Sequence, residues 1–342
     1  MSNTSANNYT AKSSGHILSL SRFINPRYYT VRQLLMLSVI SYVGFSVYYT
    51  SQYEMDGVQM YHYTRTVSRI NGYIATMYMP QFMRPYVYGL YSSVYGVDVT
   101  DFIGKFEDYE RPVDFFTRRV KPRKIEKSDN VMLAPADSKI LSISEVTNDS
   151  VFLVKGVNYS FTELVTGIEN QTPSKDFLDK LKKDKKNKLY SVIYYLSPGD
   201  YHRYHSPAEI NIKQRIHIAG LLWPVKPAFI EKNARVYETN ERISIFSKWA
   251  HGLMNIVFVG ATNVGSMTLD IEPELETNSL NTENKVNVKK YSEPINVQSG
   301  DQMGMFKFGS TVVTIFEVPE NFKFNIKDGD SVRFGDVVGR LN

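Results

Sequence analysis

The chain has 342 residues with 40 basic and 35 acidic side chains, 42% hydrophobic and 22% charged, enough for roughly two domains of ~150 residues and an ordinary core. That composition excludes a wholly disordered, collagen-like or multi-span membrane chain. The absence of cysteine excludes a disulfide framework, a thiolate zinc site, an iron–sulfur cluster and a cysteine nucleophile.

Residues 1–53 hold Lys12, Arg22, Arg27 and Arg32 and no acid, so most of the net charge of +5 is an amino-terminal property. A pI near 9.0 built this way points to targeting or to an anionic membrane surface. A nucleic-acid groove would need basic residues clustered on the folded body, and no nucleic-acid partner is expected. Residues 1–32, rich in Ser, Asn and Thr, read as a presequence or a cytosolic or matrix tail, although a disordered extension would have the same composition. Gln33 to Tyr53 are 21 residues without a formal charge. As a helix they would extend ~32 Å, enough to span a hydrocarbon core of about 30 Å. Residues 33–53 are therefore read as a single transmembrane helix, with Tyr28, Tyr29, Tyr48, Tyr49 and Tyr53 at the interfaces; a core helix or a signal-type segment is the alternative. Arginines on its amino side would keep that end in the cytosol or matrix.

Residues 54–125 form a helical, membrane-proximal region in this reading. Met60, Tyr63, Val67, Ile70, Tyr73, Ile74, Met77 and Met79 recur at helical spacing until Pro80 and Pro85 interrupt them. These side chains are assigned to a core, ahead of a membrane interface. Residues 126–342 read as a mainly β catalytic domain, because short β-rich runs at 139–143, 190–196, 209–218, 242–246, 255–259 and 311–316 are punctuated by Gly, Pro and Asn. Residues 169–188, which are lysine-rich, and 271–292, rich in Glu, Asn and Thr, read as solvated insertions. The turn-glycine pattern from Ile326 to Gly339 is similar to the half-barrel of biotinyl and lipoyl carriers. It lacks a carrier's lysine motif, and so counts as architecture. The fold class expected is α+β: an amino-terminal anchor and helical region, then a mainly β domain with lipoyl-like half-barrel elements.

Three segments carry candidate chemistry. Ser197-Pro198-Gly199-Asp200 leads into Tyr201-His202-Arg203-Tyr204-His205, and imidazole is the side chain suited to proton exchange near neutral pH. A metal would need a third ligand that the sequence does not mark. Gly309-Ser310-Thr311 lies between strand-like runs; a turn serine is the bland reading, but a glycine carbonyl is open to attack by the next residue's hydroxyl. Ala134-Pro135-Ala136-Asp137 puts a carboxylate in a turn before a strand, where it would ordinarily be a cap.

Together these segments resemble the phosphatidylserine decarboxylase family. Tyr95 to Asp98, Pro112 to Pro122, Leu133 to Ile140, Lys155 to Ser160, Ser197 to Pro207, Gly220 to Val225, Asn240 to Arg242, Val259 to Ser266 and Gly304 to Val312 stand in the family's order. Coverage is roughly residues 95–340 apart from the two insertions. Phe308 replaces the commoner leucine, and Ser138 replaces a glycine that follows the aspartate, a change that would strain the turn if that position needed a positive φ.

The resemblance implies a proenzyme that cuts itself between Gly309 and Ser310 into chains 1–309 and 310–342. The carboxy-terminal piece stays on as a second subunit. Asp137, His205 and Ser310 would form the self-cleavage triad, with His205 taking the Ser310 proton and Asp137 supporting it. Ser310 would become a covalent pyruvoyl group, the only cofactor, with no metal. That group would form a Schiff base with the amine of membrane phosphatidylserine, and His202 would assist decarboxylation to phosphatidylethanolamine and carbon dioxide. His217 would either line the site or be held structurally. The alternatives are a membrane-anchored serine hydrolase using Asp137, His205 and Ser310, or a catalytically inactive lipid-binding relative. Location in the mitochondrial inner membrane is favoured over the endoplasmic reticulum membrane, and a homo-oligomer is left open.

Overall fold

Continuous apolar runs bounded by turns build an antiparallel sheet of eight strands, and its two central strands are buried along their whole length. The computed structural model describes residues 57–147, 150–153, 157–168, 181–233, 235–262, 266–279, 286–307 and 309–341. The expected presequence (1–32) and span (33–53) lie outside the described residues, as do Phe308 and residues 169–180. Among the described residues no helix is long and apolar enough to cross a membrane. The observed class is α+β, dominated by strands.

Five strands carry the first half: β1 (Val131–Leu133), β2 (Ser138–Glu145), β3 (Ser150–Leu153), β4 (Val157–Ser160) and β5 (Lys188–Leu196). The second half adds β6 (Arg203–His205), β7 (Ile210–Ile218), β8 (Arg242–Trp249), β9 (Gly252–Val259), β10 (Met267–Leu269) and β11 (Val286–Val297). The last strands are β12 (Gln302–Phe306), β13 (Ser310–Val318), β14 (Phe322–Phe324), β15 (Ser331–Val332) and β16 (Val337–Leu341). The large sheet runs β11-β7-β8-β9-β13-β5-β2-β15, and a small sheet runs β10-β12-β6. The turn-glycine segment feeds two sheets: β15 pairs with β2, while β16 lies between β1 and β14.

Every residue of β9 and β13 is buried, because both faces of these strands are covered. Residues 271–292 are not simply a solvated insertion. Residues 286–297 form an edge strand on β7, and Glu272 is buried in a two-point ion pair with Arg215. Alternating polar residues are what an edge strand with one solvated face requires, and that pattern hid the strand. The end of the lysine-rich stretch is likewise folded in. The backbone N–H groups of Lys183 and Asp184 donate to the Glu317 carboxylate at 2.7 and 2.9 Å.

The helices that precede the sheet include α1 (Gly57–Ala75), a 3-10 turn (Gln81–Met83), α2 (Arg84–Tyr95) and α3 (Pro112–Phe116). Pro85 sits in the first turn of α2, where its missing N–H costs nothing, so it opens this helix instead of interrupting one. The apolar residues of this region do not all go to a core. On α1 the buried side chains among the described residues are Thr64, Arg65, Val67, Ser68 and Ala75, while Tyr73 is exposed. Arg65 explains the inversion, since it pairs with buried Glu241 at 3.2 Å and donates to the carbonyls of Gly220 and Ser279. On α2, Tyr88 and Ser92 face inward, and Tyr88 stacks on Phe115 of α3 at 4.7 Å. The opposite face leaves Tyr86, Leu90 and Val94 exposed, continuing from Phe82 of the 3-10 turn, all four between 66% and 80% exposed.

Candidate active site

The two histidines and Ser310 meet because β12 pairs with β6 before the chain crosses to β13. Gly304 on β12 lies opposite Tyr204, the Phe306 N–H donates to the His202 carbonyl at 2.9 Å, and four residues later Ser310 begins β13 opposite Leu196. Gly304 is required there, because a Cβ would stand 1.9 Å from the Thr268 carbonyl oxygen. The Tyr204 ring stacks on Phe258 of β9 at 3.8 Å and so fastens β6 to the large sheet.

The turn at 197–200 is set by α2. The Tyr91 hydroxyl donates to the Pro198 carbonyl at 2.7 Å, and a Cβ on Gly199 would lie 2.1 Å from the Tyr95 carbonyl oxygen. Only glycine allows this approach. The Asp200 carboxylate accepts the Ser197 N–H at 2.6 Å, and burial pushes its pKa up to about 6.

His202 is fully buried beneath Phe116, with ring centroids 4.0 Å apart. Its Nδ1 lies 2.9 Å from the Asp200 carbonyl, which can only accept, so Nδ1 carries the proton and Nε2 presents a lone pair. That Nε2 has no hydrogen-bond partner among the described residues, and it lies 3.9 Å from where a Cβ on Gly309 would be. The Ser310 Oγ is fully buried and also without a partner among the described residues. Burial lowers the His202 pKa to about 3, with the nearby Arg118 charge acting in the same direction, so the ring is neutral at physiological pH.

His205 is engaged differently. Its Nδ1 donates to the Gly300 carbonyl at 2.9 Å, which leaves Nε2 to accept from the Tyr201 hydroxyl at 3.0 Å. The ring stacks on Phe334 at 3.9 Å, and burial lowers its pKa to about 4. Asp137 receives both terminal nitrogens of Arg123 and the Phe334 N–H, and Arg123 also binds Asp101 at 2.5 Å. Asp137 thus reaches His205 through its field and through Phe334, not through a hydrogen bond. Ser138 opens β2 without a positive φ and donates to the Ala136 carbonyl, so the turn does not need a glycine. His217 lies away from this cluster and pairs with Glu241 at 2.8 Å.

Beside the cluster is a cleft of about 310 Å³ lined by residues including Asp98, Asp137, Asp200, Tyr201, Arg118 and Arg333. Sequence reasoning gave no role to Arg118, Arg123, Tyr201 or Phe334. Arg118 stands in a quoted motif, while Arg123 sits in a basic linker whose partners lie 14 and 22 residues away.

The sequence model of the phosphatidylserine decarboxylase family matches residues 113–340. The mitochondrial phosphatidylserine decarboxylase proenzyme of Cricetulus griseus is 34% identical over 295 residues, covering 81% of this chain and 72% of that protein. The mitochondrial proenzyme of Caenorhabditis elegans is 33% identical over 279 residues, covering 79% and 69%. The proenzyme of Helicobacter pylori (strain J99) is 31% identical over 281 residues, covering 82% of this chain and 98% of its own length.

Proposed function

Because the chain belongs to the phosphatidylserine decarboxylase family, we propose that it is made as a proenzyme, cuts itself between Gly309 and Ser310, and then converts phosphatidylserine to phosphatidylethanolamine and carbon dioxide. The observation that carries this reading is the pair of buried, unpartnered atoms at one peptide bond, Ser310 Oγ and His202 Nε2.

In maturation the Ser310 Oγ attacks the Gly309 carbonyl carbon; the C–O bond forms, the peptide C–N bond breaks, and the hydroxyl proton ends on the freed nitrogen by way of a base. Loss of the Ser310 α-proton then expels the Gly309 carboxylate from Cβ and leaves dehydroalanine. Its imine tautomer takes up one water and releases ammonia. The resemblance gives the first proton transfer to His205 within a triad of Asp137, His205 and Ser310. The hydrogen bonds favour His202, whose Nε2 lone pair is free, whereas that of His205 is filled by Tyr201. His205, Asp137 and Arg123 then act as the wall that fixes the Tyr201–His202 segment.

The residues fit a pyruvoyl group at position 310, since the site is buried, lacks competing hydrogen bonds and adjoins a neutral imidazole. Such a group supplies a carbonyl that captures the substrate amine and accepts the electrons left by carbon dioxide. His202, held by the Asp200 carbonyl, delivers or removes the proton at the reacting carbon, and Phe116 covers it from water.

The exposed face of Phe82, Tyr86, Leu90 and Val94 rests in the lipid interface, and α2 passes its position to the Pro198–Gly199 turn through Tyr91. Eukaryotic relatives such as that of Cricetulus griseus are named mitochondrial, which supports a mitochondrial location for this chain; the inner membrane, with residues 33–53 as a single-pass anchor, rests on the sequence alone. The carboxy-terminal fragment 310–342 remains as the second subunit.

Intact mass measurement of the purified protein tests this reading. Two chains are expected, the smaller lighter than its serine form by the serine-to-pyruvoyl conversion; a single uncut chain, or a fragment with an ordinary amino-terminal serine, would refute it.

A further inference from the structure

We propose that Arg118 grips the phosphodiester of the lipid headgroup and thereby sets the distance of the substrate amine from position 310. The proposal rests on the decarboxylase reading above. Other buried guanidinium groups among the described residues engage at least two of their nitrogens, as Arg65 and Arg84 do. Arg242, 1% exposed, places its Nε, Nη1 and Nη2 on the carbonyls of Leu164, Asn240 and Glu163, and Arg215 pairs with Glu272. Arg118 is 4% exposed and different: only Nη2 is engaged, on the carbonyls of Gly199 at 2.6 Å and Asp200 at 3.2 Å. Its Nε and Nη1 have no partner, and it makes no ion pair among the described residues. Asp137 and Asp200 act on it through their charges but do not contact it, and a buried cation without a contacting anion is costly to fold, a cost that a ligand bringing the anion removes.

The position suits a headgroup. Arg118 lines the cleft, its plane lies over Phe115, and its Nη2 shares the Asp200 carbonyl with His202 Nδ1, so the two groups are within two hydrogen-bond lengths. In a serine phospholipid the phosphorus is three bonds from the carbon that bears the amine, a comparable reach. The headgroup offers two anions, and the chemistry selects between them. A guanidinium on the carboxylate would stabilise the charge that the reaction must discharge, and so oppose catalysis. The phosphodiester keeps its charge from substrate to product and can be held throughout.

The test uses processed protein and the variants Arg118→Gln and Arg118→Lys, with self-cleavage as the control for folding. The Michaelis constant for a short-chain phosphatidylserine is expected to rise at least about tenfold in Arg118→Gln, with kcat reduced less than about threefold. Calorimetric affinity for short-chain phosphatidylethanolamine, which keeps the phosphodiester and lacks the carboxylate, should weaken by the same factor, and Arg118→Lys should recover part of it. If substrate binding weakens but phosphatidylethanolamine binds as before, the carboxylate is the anion held and the proposal fails. It fails also if neither changes in a cleaved variant, or if inorganic phosphate competes as well as the headgroup. Should Arg118→Gln stay uncut, the same two measurements on Arg118→Lys decide. An uncut wild-type chain would instead remove the decarboxylase reading itself.

Discussion

The Tyr201 hydroxyl donates to His205 Nε2 at 3.0 Å, so that imidazole has no free lone pair, while His202, three residues earlier, keeps one beside Gly309. His202→Ala is therefore expected to stay a single intact chain. Tyr201→Phe, which frees His205, should still cleave within about tenfold of wild type. A time course on denaturing gels reads both; rapid cleavage by His202→Ala would return the maturation proton to His205.

Gly309 is not demanded by packing. A Cβ there would meet the Leu196 carbonyl oxygen at 3.7 Å and His202 Nε2 at 3.9 Å, ordinary contact distances. Gly309→Ala should fold with a melting temperature close to that of Ser310→Ala. Its self-cleavage should slow by about tenfold or more, because the methyl crowds the path to the scissile carbonyl. Unchanged cleavage would show that access to this carbonyl is not limiting.

The exposed stripe on α2 has a measurable consequence. Burying one leucine in a lipid interface contributes about 1.5–3 kcal/mol, so Leu90→Glu should weaken sedimentation with phosphatidylserine vesicles by about tenfold or more. Turnover of short-chain soluble substrate should be unaltered. Equal losses on both substrates would point instead to a damaged fold.

Acid should loosen the uncut protein by a definite route. His202 and His205 have folded pKa values of about 3 and 4 against 6.5 when unfolded, so between those limits the unfolded chain binds more protons and stability falls as pH drops below about 6.5. Asp200 works the other way, binding its proton in the folded state up to about pH 6. Melting of Ser310→Ala should therefore move to lower temperature from pH 6.5 to 4.5, and adding Asp200→Asn should steepen the fall; a shallower slope would contradict the assignment.

Glu317 accepts from Lys183, Asp184, Asn187 and Leu253, joining β13 to β9 and to the residues before β5. Glu317→Leu leaves these donors without their acceptor and should cost about 3 kcal/mol or more, read from chemical denaturation of the Ser310→Ala protein. A loss under about 1 kcal/mol would mean that water replaces the carboxylate.

The apolar strand runs were legible in the sequence because their periods are local: the six β-rich runs are all strands. Motif residues His202 and Ser310 could be singled out for the same reason. What sequence alone could not give were the relations across the fold. Arg123 meets Asp137 only after the chain turns back, and Tyr201 fills His205 through strand geometry that no spacing encodes. The α1 stripe misled because helical periodicity reports one apolar face and not what covers it; buried Arg65 claims the inner side of α1.

The piece that the proposed cleavage would release begins in the middle of the eight-stranded sheet, with β9 on one flank and β5 on the other. Before the cut, this strand finds its slot at the high local concentration of a tethered segment; afterwards, a denatured sample must bring two separate molecules together. Renaturation of the processed protein should thus become dilution-sensitive and fail at concentrations where the uncut precursor recovers readily, making assembly of the mature enzyme a one-way event.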